Sequence, residues 1–167
     1  MKDSMLKTIL AGVAGGIAFN GVMLLMFRVL GLGWNGGGIL LDPSVQSSKL
    51  IAVWTQLHPK PLVVANPVPI IIGLTLFSIG HAVVYRWLAP AWPAEVRARG
   101  WRLAALIFFL SFVFWEFFTP FNLFGEPLLL VGLELIFWAT IALVEAYTIA
   151  WAFEKMDNVR QRLEIQS

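Results

Sequence analysis

Four long apolar runs dominate this chain and leave it few ways to fold. They cover about 8–30, 68–88, 103–121 and 127–153, and each can cross a hydrocarbon core of roughly 30 Å as a helix. Strands do not fit, because the runs lack alternation and a membrane barrel needs many more segments. Of 167 residues, 13% are charged and 59% hydrophobic, whereas a soluble domain carries about a quarter charged residues. The expected fold class is all-α: a four-transmembrane-helix bundle with a long external loop carrying a short amphipathic helix. It forms a single integral membrane domain over 1–167, and the lipid bilayer is its first partner.

Charge placement sets the expected direction. Nine of the twelve basic residues (Lys2, Lys7, Arg86, Arg97, Arg99, Arg102, Lys155, Arg160 and Arg162) flank one side of the runs. Arg28, Lys49 and Lys60 fall on the other. Basic residues accumulate on the cytoplasmic side, so both termini are expected to be cytoplasmic and the 31–67 segment external. Tyr85, Trp87, Trp92, Trp101, Tyr147 and Trp151 mark the inner boundary, where amphipathic rings anchor at headgroup level. The net charge of +2 follows from these flanks and does not imply a nucleic-acid partner.

Several chemistries are excluded by what the sequence lacks. There is no cysteine, hence no disulfide, thiolate metal site or iron–sulfur cluster. The first run is too long for a signal-peptide core and no small-residue cleavage site follows it, so no cleavable leader is expected. No H-E-x-x-H, paired E-x-x-H or phosphate-binding loop occurs. With only His58 and His81, a bis-histidine haem within one chain is not expected, and neither a cofactor nor a metal is anticipated. The two halves of the chain do not repeat, which argues against an inverted-repeat transporter.

The connections differ in length. Residues 121–127 make a tight turn containing Asn122, Gly125 and Pro127, and residues 89–100 form a short basic loop broken by Pro90 and Pro93. The 31–67 segment is long enough to carry structure or function of its own. Asp42-Pro43 reads as a helix cap followed by proline at the first helical position. That helix is expected over 42–57, with Leu50, Ile51, Trp54 and Leu57 on its apolar face and Gln46, Ser47, Lys49 and Gln56 on its polar face. It serves either as a lid over the bundle or as a surface anchor.

Chemistry in such a chain must come from the few polar residues inside the runs, and Glu116, Glu134 and Glu145 stand out. A carboxylate at a helix centre costs roughly 2.5–3.5 kcal/mol on insertion scales, so it persists only when paired, protonated or facing a polar cavity. At about 1.5 Å of rise per residue, Glu116 lies about 9 Å and Glu134 about 10 Å from the outer boundary. Asn20 and Arg28 on the first run and Asn122 in the turn reach similar levels. The expected ligand-binding cluster is therefore Glu116, Glu134, Arg28, Asn20 and Asn122, with Thr119 beside them. A second, inner cluster pairs His81 with Glu145. Glu134 and Glu145 share one face with Trp138, Ile141, Thr148 and Ala152.

Two further features bear on partners. Gly12-x-x-x-Gly16 permits close helix approach, either inside the bundle or in a homo-oligomer. Eight of the thirteen phenylalanines lie between Phe108 and Phe124, a surface for lipid, for the core or for a hydrophobic small-molecule ligand. Three functions fit. The first is an integral membrane protein binding or passing a small amphipathic ligand or ion through an outer-half acidic pocket. The second is an intramembrane lipid- or isoprenoid-modifying enzyme using a glutamate acid/base pair. The third is a non-catalytic accessory or structural subunit whose polar residues only fix packing.

Overall fold

The computed structural model describes residues 2–166; the side chains of Lys2, Arg160 and Arg162, counted among the basic flanks, lie outside the described ones. Helix accounts for all the regular structure among the described residues. Four helices are long and apolar enough to cross a membrane: Ser4–Gly31, Val68–Ala91, Val96–Leu123 and Leu128–Val159. The first combines α1 (Lys2–Met23) with a π-helical stretch, Leu24–Gly31. The second is α4 (Val68–Leu88) and the fourth α7 (Leu128–Gln166). Between the first two, α2 (Ser48–Thr55) and α3 (Leu62–Ala65) are short.

The third spanning helix is irregular. It runs through α5 (Val96–Ile107), a π-helical stretch Phe108–Phe112, the single turn α6 (Val113–Glu116) and a second π-helical stretch Phe117–Leu123. Pro120 lies inside the last of these. In α geometry its ring would meet the carbonyl of residue 116 and its missing N–H would break the ladder. The wider π turn absorbs both defects, as such turns do where a helix carries a local insertion or break.

Two boundaries differ from the sequence expectation for one reason. The third helix begins at Val96 rather than 103, and the fourth continues to Gln166 rather than ending near 153. The first extension carries three Arg and an Ala and the second is rich in Glu, Gln and Arg, polar helix formers that prolong a helix beyond its apolar part. The fourth helix is thereby about 58 Å long, well beyond a bilayer core.

The helices pack in the order second, first, fourth, third, and small residues set that order. A Cβ on Gly12 would lie 2.5 Å from Cα of Ile79, and one on Gly16 would lie 2.9 Å from Cα of Thr75. A quarter-turn away, a Cβ on Gly15 would strike Ile149 at 2.6 Å. The first helix is thus central, with one small face toward the second and another toward the fourth. Of the two uses open to Gly12-x-x-x-Gly16, this is the internal one, and self-association would need another surface. Gly100 likewise admits the ring of Tyr147.

The main core joins all four helices through Ala11, Phe19, Ala82, Leu103, Ile141 and Ile149 among others. Tyr85 belongs to it, packed on Phe153 at 5.0 Å and Trp92 at 6.2 Å. Its expected role as a headgroup anchor is therefore corrected: it faces the bundle. Trp87, Trp101 and Trp151 are exposed, as anchors would be. Lys7 pairs with Asp157 and Arg86 reaches the Ser4 carbonyl, which ties the helix ends together at the termini end.

Candidate functional site

At the other end, which carries the 32–67 connection, three carboxylates converge. Oxygens of Glu116, Glu126 and Glu134 all lie within 4.8 Å of one another. All three residues are buried, at 0%, 1% and 8% exposure. Glu116 comes from α6, just before the π turn that accommodates Pro120, and Glu134 from the second turn of α7. Their matched depth on consecutive helices brings them together, as the rise per residue predicts.

Glu126 comes from the turn between those helices, and no helical periodicity marks it. Gly125 adopts φ +67°, the left-handed conformation that lets a chain leave one helix and reverse. Its N–H donates to the Phe121 carbonyl at 3.0 Å, and the Glu126 N–H donates to the Pro120 carbonyl at 3.1 Å. The reversal folds the Glu126 side chain back under the turn. Burial pushes its carboxyl up to about 7; the Gln46 hydrogen bond works against that rise and the Glu116 charge adds to it. The one sequence signal was an acid held between Gly125 and Pro127, the only charged residue of the 121–127 turn.

Two N–H donors from outside the cluster hold these carboxylates. Trp138 Nε1 donates to Glu116 Oε2 at 2.8 Å, and Gln46 Nε2 donates to Glu126 Oε1 at 2.5 Å. The other oxygen of each, Glu116 Oε1 and Glu126 Oε2, is buried with no partner. Gln46 was expected on the polar face of the connecting helix; it is instead buried against the site.

The connection covers the cluster by specific contacts. Leu40 is fully buried with Leu130 and Phe137, and Met26, Phe27, Leu32 and Leu133 pack around them. Gly31 makes room for it, since a Cβ there would lie 2.6 Å from Leu40 Cδ1. The helix expected over 42–57 starts later, at Ser48, because Asp42 accepts from the Ser44 N–H and hydroxyl and closes a turn of its own. Ser47 caps the helix by accepting from the Leu50 N–H, while its hydroxyl donates to the Phe124 carbonyl at 2.7 Å. Lys49 donates to the Leu123 carbonyl. The segment is docked on the turn that carries Glu126.

Three residues expected in the cluster lie elsewhere. Asn20 faces the second helix: its amide donates to the Gly16 carbonyl of its own helix at 2.8 Å and across to Thr75 Oγ1 at 3.3 Å. Arg28 is exposed and caps its own helix end, donating to the carbonyls of Gly33 at 3.0 Å and Trp34 at 3.1 Å. Asn122 is exposed at the turn. Equal depth placed them at the right level, but their direction around the helix points away. Among the described residues, no Lys or Arg pairs with the three carboxylates.

The inner cluster forms as a pair. His81 Nδ1 lies 2.8 Å from Glu145 Oε1, and the Phe77 ring covers the imidazole at 4.2 Å between centroids. Glu145 Oε2 and the nearby Ser78 Oγ are buried without partners. Glu134 and Glu145 stand about 16 Å apart along their shared helix, and a packed aromatic layer occupies the interval. Phe112 stacks on Trp138 at 4.5 Å, Phe19 lies 6.1 Å from Phe112, and Phe19 and Ile141 are fully buried. A continuous polar stripe from Glu134 to Glu145 is therefore interrupted.

No protein-family model, no curated protein and no solved structure matches this chain.

Proposed function

We propose that this is an integral membrane protein, with both termini cytoplasmic, that binds a small cationic or proton-linked ligand in an occluded acidic site. The ligand enters from the outer side, beneath the 32–67 connection. One observation carries the reading: three buried carboxylates converge, and no basic side chain among the described residues balances them. Two unit charges 4.8 Å apart repel by about 3.5 kcal/mol at an effective dielectric of 20. Three such charges cannot coexist in a buried site without positive charge, so the site must take up protons or a cation.

The direction rests on the basic flanks at the termini end. The connection then lies outside, and its Gln46, Ser47 and Lys49 contacts with the 123–126 turn act as the clasp. Release of that clasp withdraws one N–H donor from Glu126 and opens the site outward. The aromatic layer of Phe19, Phe112 and Trp138 closes the route inward, so the function supported here is binding and occlusion on the outer side.

The test is the response of the purified protein in lipid nanodiscs to protons and to cations, read as melting temperature. Wild type should be stabilised by one or both. The double variant Glu116→Gln, Glu134→Gln should keep its helical content and lose the response. An unresponsive wild type, with the double variant markedly less stable or unfolded, would leave only a polar knot that pins the helices.

A further inference from the structure

The chemistry of the three carboxylates goes further and names a ligand class. Resting on the outer-side binding site just described, we propose that its ligand is a hard divalent cation held by Glu116, Glu126 and Glu134.

The donor set points to that class first. It consists of carboxylate oxygens, with no nitrogen or sulfur donor among them. The chain has no cysteine, and His81 is engaged with Glu145 at the far end of the aromatic layer. Oxygen-only sites suit calcium, magnesium or manganese, whereas zinc and copper sites draw on imidazole and thiolate.

The spacing agrees. Calcium takes oxygen ligands at about 2.3–2.6 Å, so two ligands on opposite sides of one ion stand about 4.6–5.2 Å apart. The carboxylate oxygens lie within 4.8 Å of one another. One ion can bridge all three without moving a helix.

The hydrogen bonds supply an independent reason. Metal-binding carboxylates are commonly fixed by outer donors that orient one oxygen and leave the other for the ion. Trp138 holds Glu116 in this way and Gln46 holds Glu126. Neither donor belongs to the acidic cluster. Each leaves an oxygen buried without a partner, Glu116 Oε1 and Glu126 Oε2. Buried polar atoms nearly always have a partner, and an orphan calls for a water or an ion.

The nearby basic groups are committed elsewhere. Arg28 spends its guanidinium on the Gly33 and Trp34 carbonyls, and Lys49 is held by the Leu123 carbonyl. Neither forms an ion pair with the three carboxylates. At least three more oxygens, from second carboxylate oxygens and waters, would complete the shell of six to eight that calcium prefers.

The experiment uses the full chain in nanodiscs, stripped with chelator and then titrated with calcium, magnesium or manganese chloride at constant pH and 0.15 M sodium chloride. We expect a saturable rise in melting temperature with at least one of the three, and manganese bound at one ion per chain by electron paramagnetic resonance. Glu116→Gln and Glu126→Gln should each weaken binding more than tenfold. Trp138→Phe keeps every carboxylate and should weaken binding by roughly 10-fold through loss of the outer donor. That variant, with the wild-type stoichiometry, decides the matter even where a glutamine variant fails to fold. Stabilisation by protons with no divalent response would overturn the divalent assignment and leave the outer binding site standing. A response to neither would sink both, and a divalent response that survives Glu116→Gln with Glu126→Gln would place the ion elsewhere and overturn the assignment.

Discussion

The two buried acidic sites differ in how their carboxyl groups are partnered. At the termini end, Glu145 meets His81 at 2.8 Å, a side-chain partner supplied within the fold. At the loop end, Glu116, Glu126 and Glu134 face one another with two neutral N–H donors and no base among the described residues. The termini-end acid has a side-chain partner within the fold, although Glu145 Oε2 and Ser78 Oγ stay without one. The loop-end acids have no such partner, and the proposed binding function builds on that difference.

Opposite signs of mutation would test the contrast most sharply. His81→Ala leaves a fully buried carboxylate without its partner and should destabilise by about 3–5 kcal/mol, the usual consequence of breaking a buried pair. Glu134→Gln removes one of three crowded buried carboxyl groups and should be neutral or stabilising by about 1 kcal/mol in chelator. Chemical unfolding in detergent measures both. If both variants lose stability alike, the outer cluster is as self-sufficient as the inner pair and the comparison fails.

Next in size is a pH effect confined to the outer site. Glu126 rises from an ordinary 4.5 to about 7 on folding, so the folded protein binds a proton more tightly than the unfolded chain. Stability from this group is fully present below 4.5 and is lost as pH rises through 7. In chelator, the melting temperature should therefore fall between pH 5 and 8, and Glu126→Gln should flatten that slope. A slope unchanged in the variant would assign the titration to another group.

The smallest effect concerns the clasp. Ser47→Ala removes a helix cap worth about 1 kcal/mol and the hydroxyl contact to Phe124. It should speed amide exchange over residues 46–55 and leave the His81 region unchanged. Exchange that quickens at both ends would show the two sites to be one cooperative unit.

Much of this architecture could be read from residues alone, for identifiable reasons. The apolar runs located four long helices, and constant rise per residue put Glu116 beside Glu134. Depth carries no information about direction around a helix, which is why Asn20 and Arg28 were misassigned. Asn20 lies four residues after Gly16 and so shares the small face that packs on Thr75. The π-helical stretch Leu24–Gly31 makes direction harder still to extrapolate for Arg28, because its turns are wider than 3.6 residues. Gln46 and Glu126 were invisible because turns have no period; their placement depends on the left-handed Gly125 and on the Asp42 turn.

The aromatic layer between the two sites has an electrical consequence. If the site opens toward the side of the 32–67 connection, as proposed, then at about 10 Å inside a roughly 30 Å core it lies about a third of the way into the membrane field. One charge crossing the full field exchanges about 2.3 kcal/mol per 100 mV. A divalent ion moving a third of that distance exchanges about 1.5 kcal/mol, close to tenfold in affinity. With the termini cytoplasmic as proposed and the cytoplasm negative, polarisation would draw such an ion in and depolarisation would loosen it. A seal of packed rings would thereby make occupancy of this site report membrane voltage.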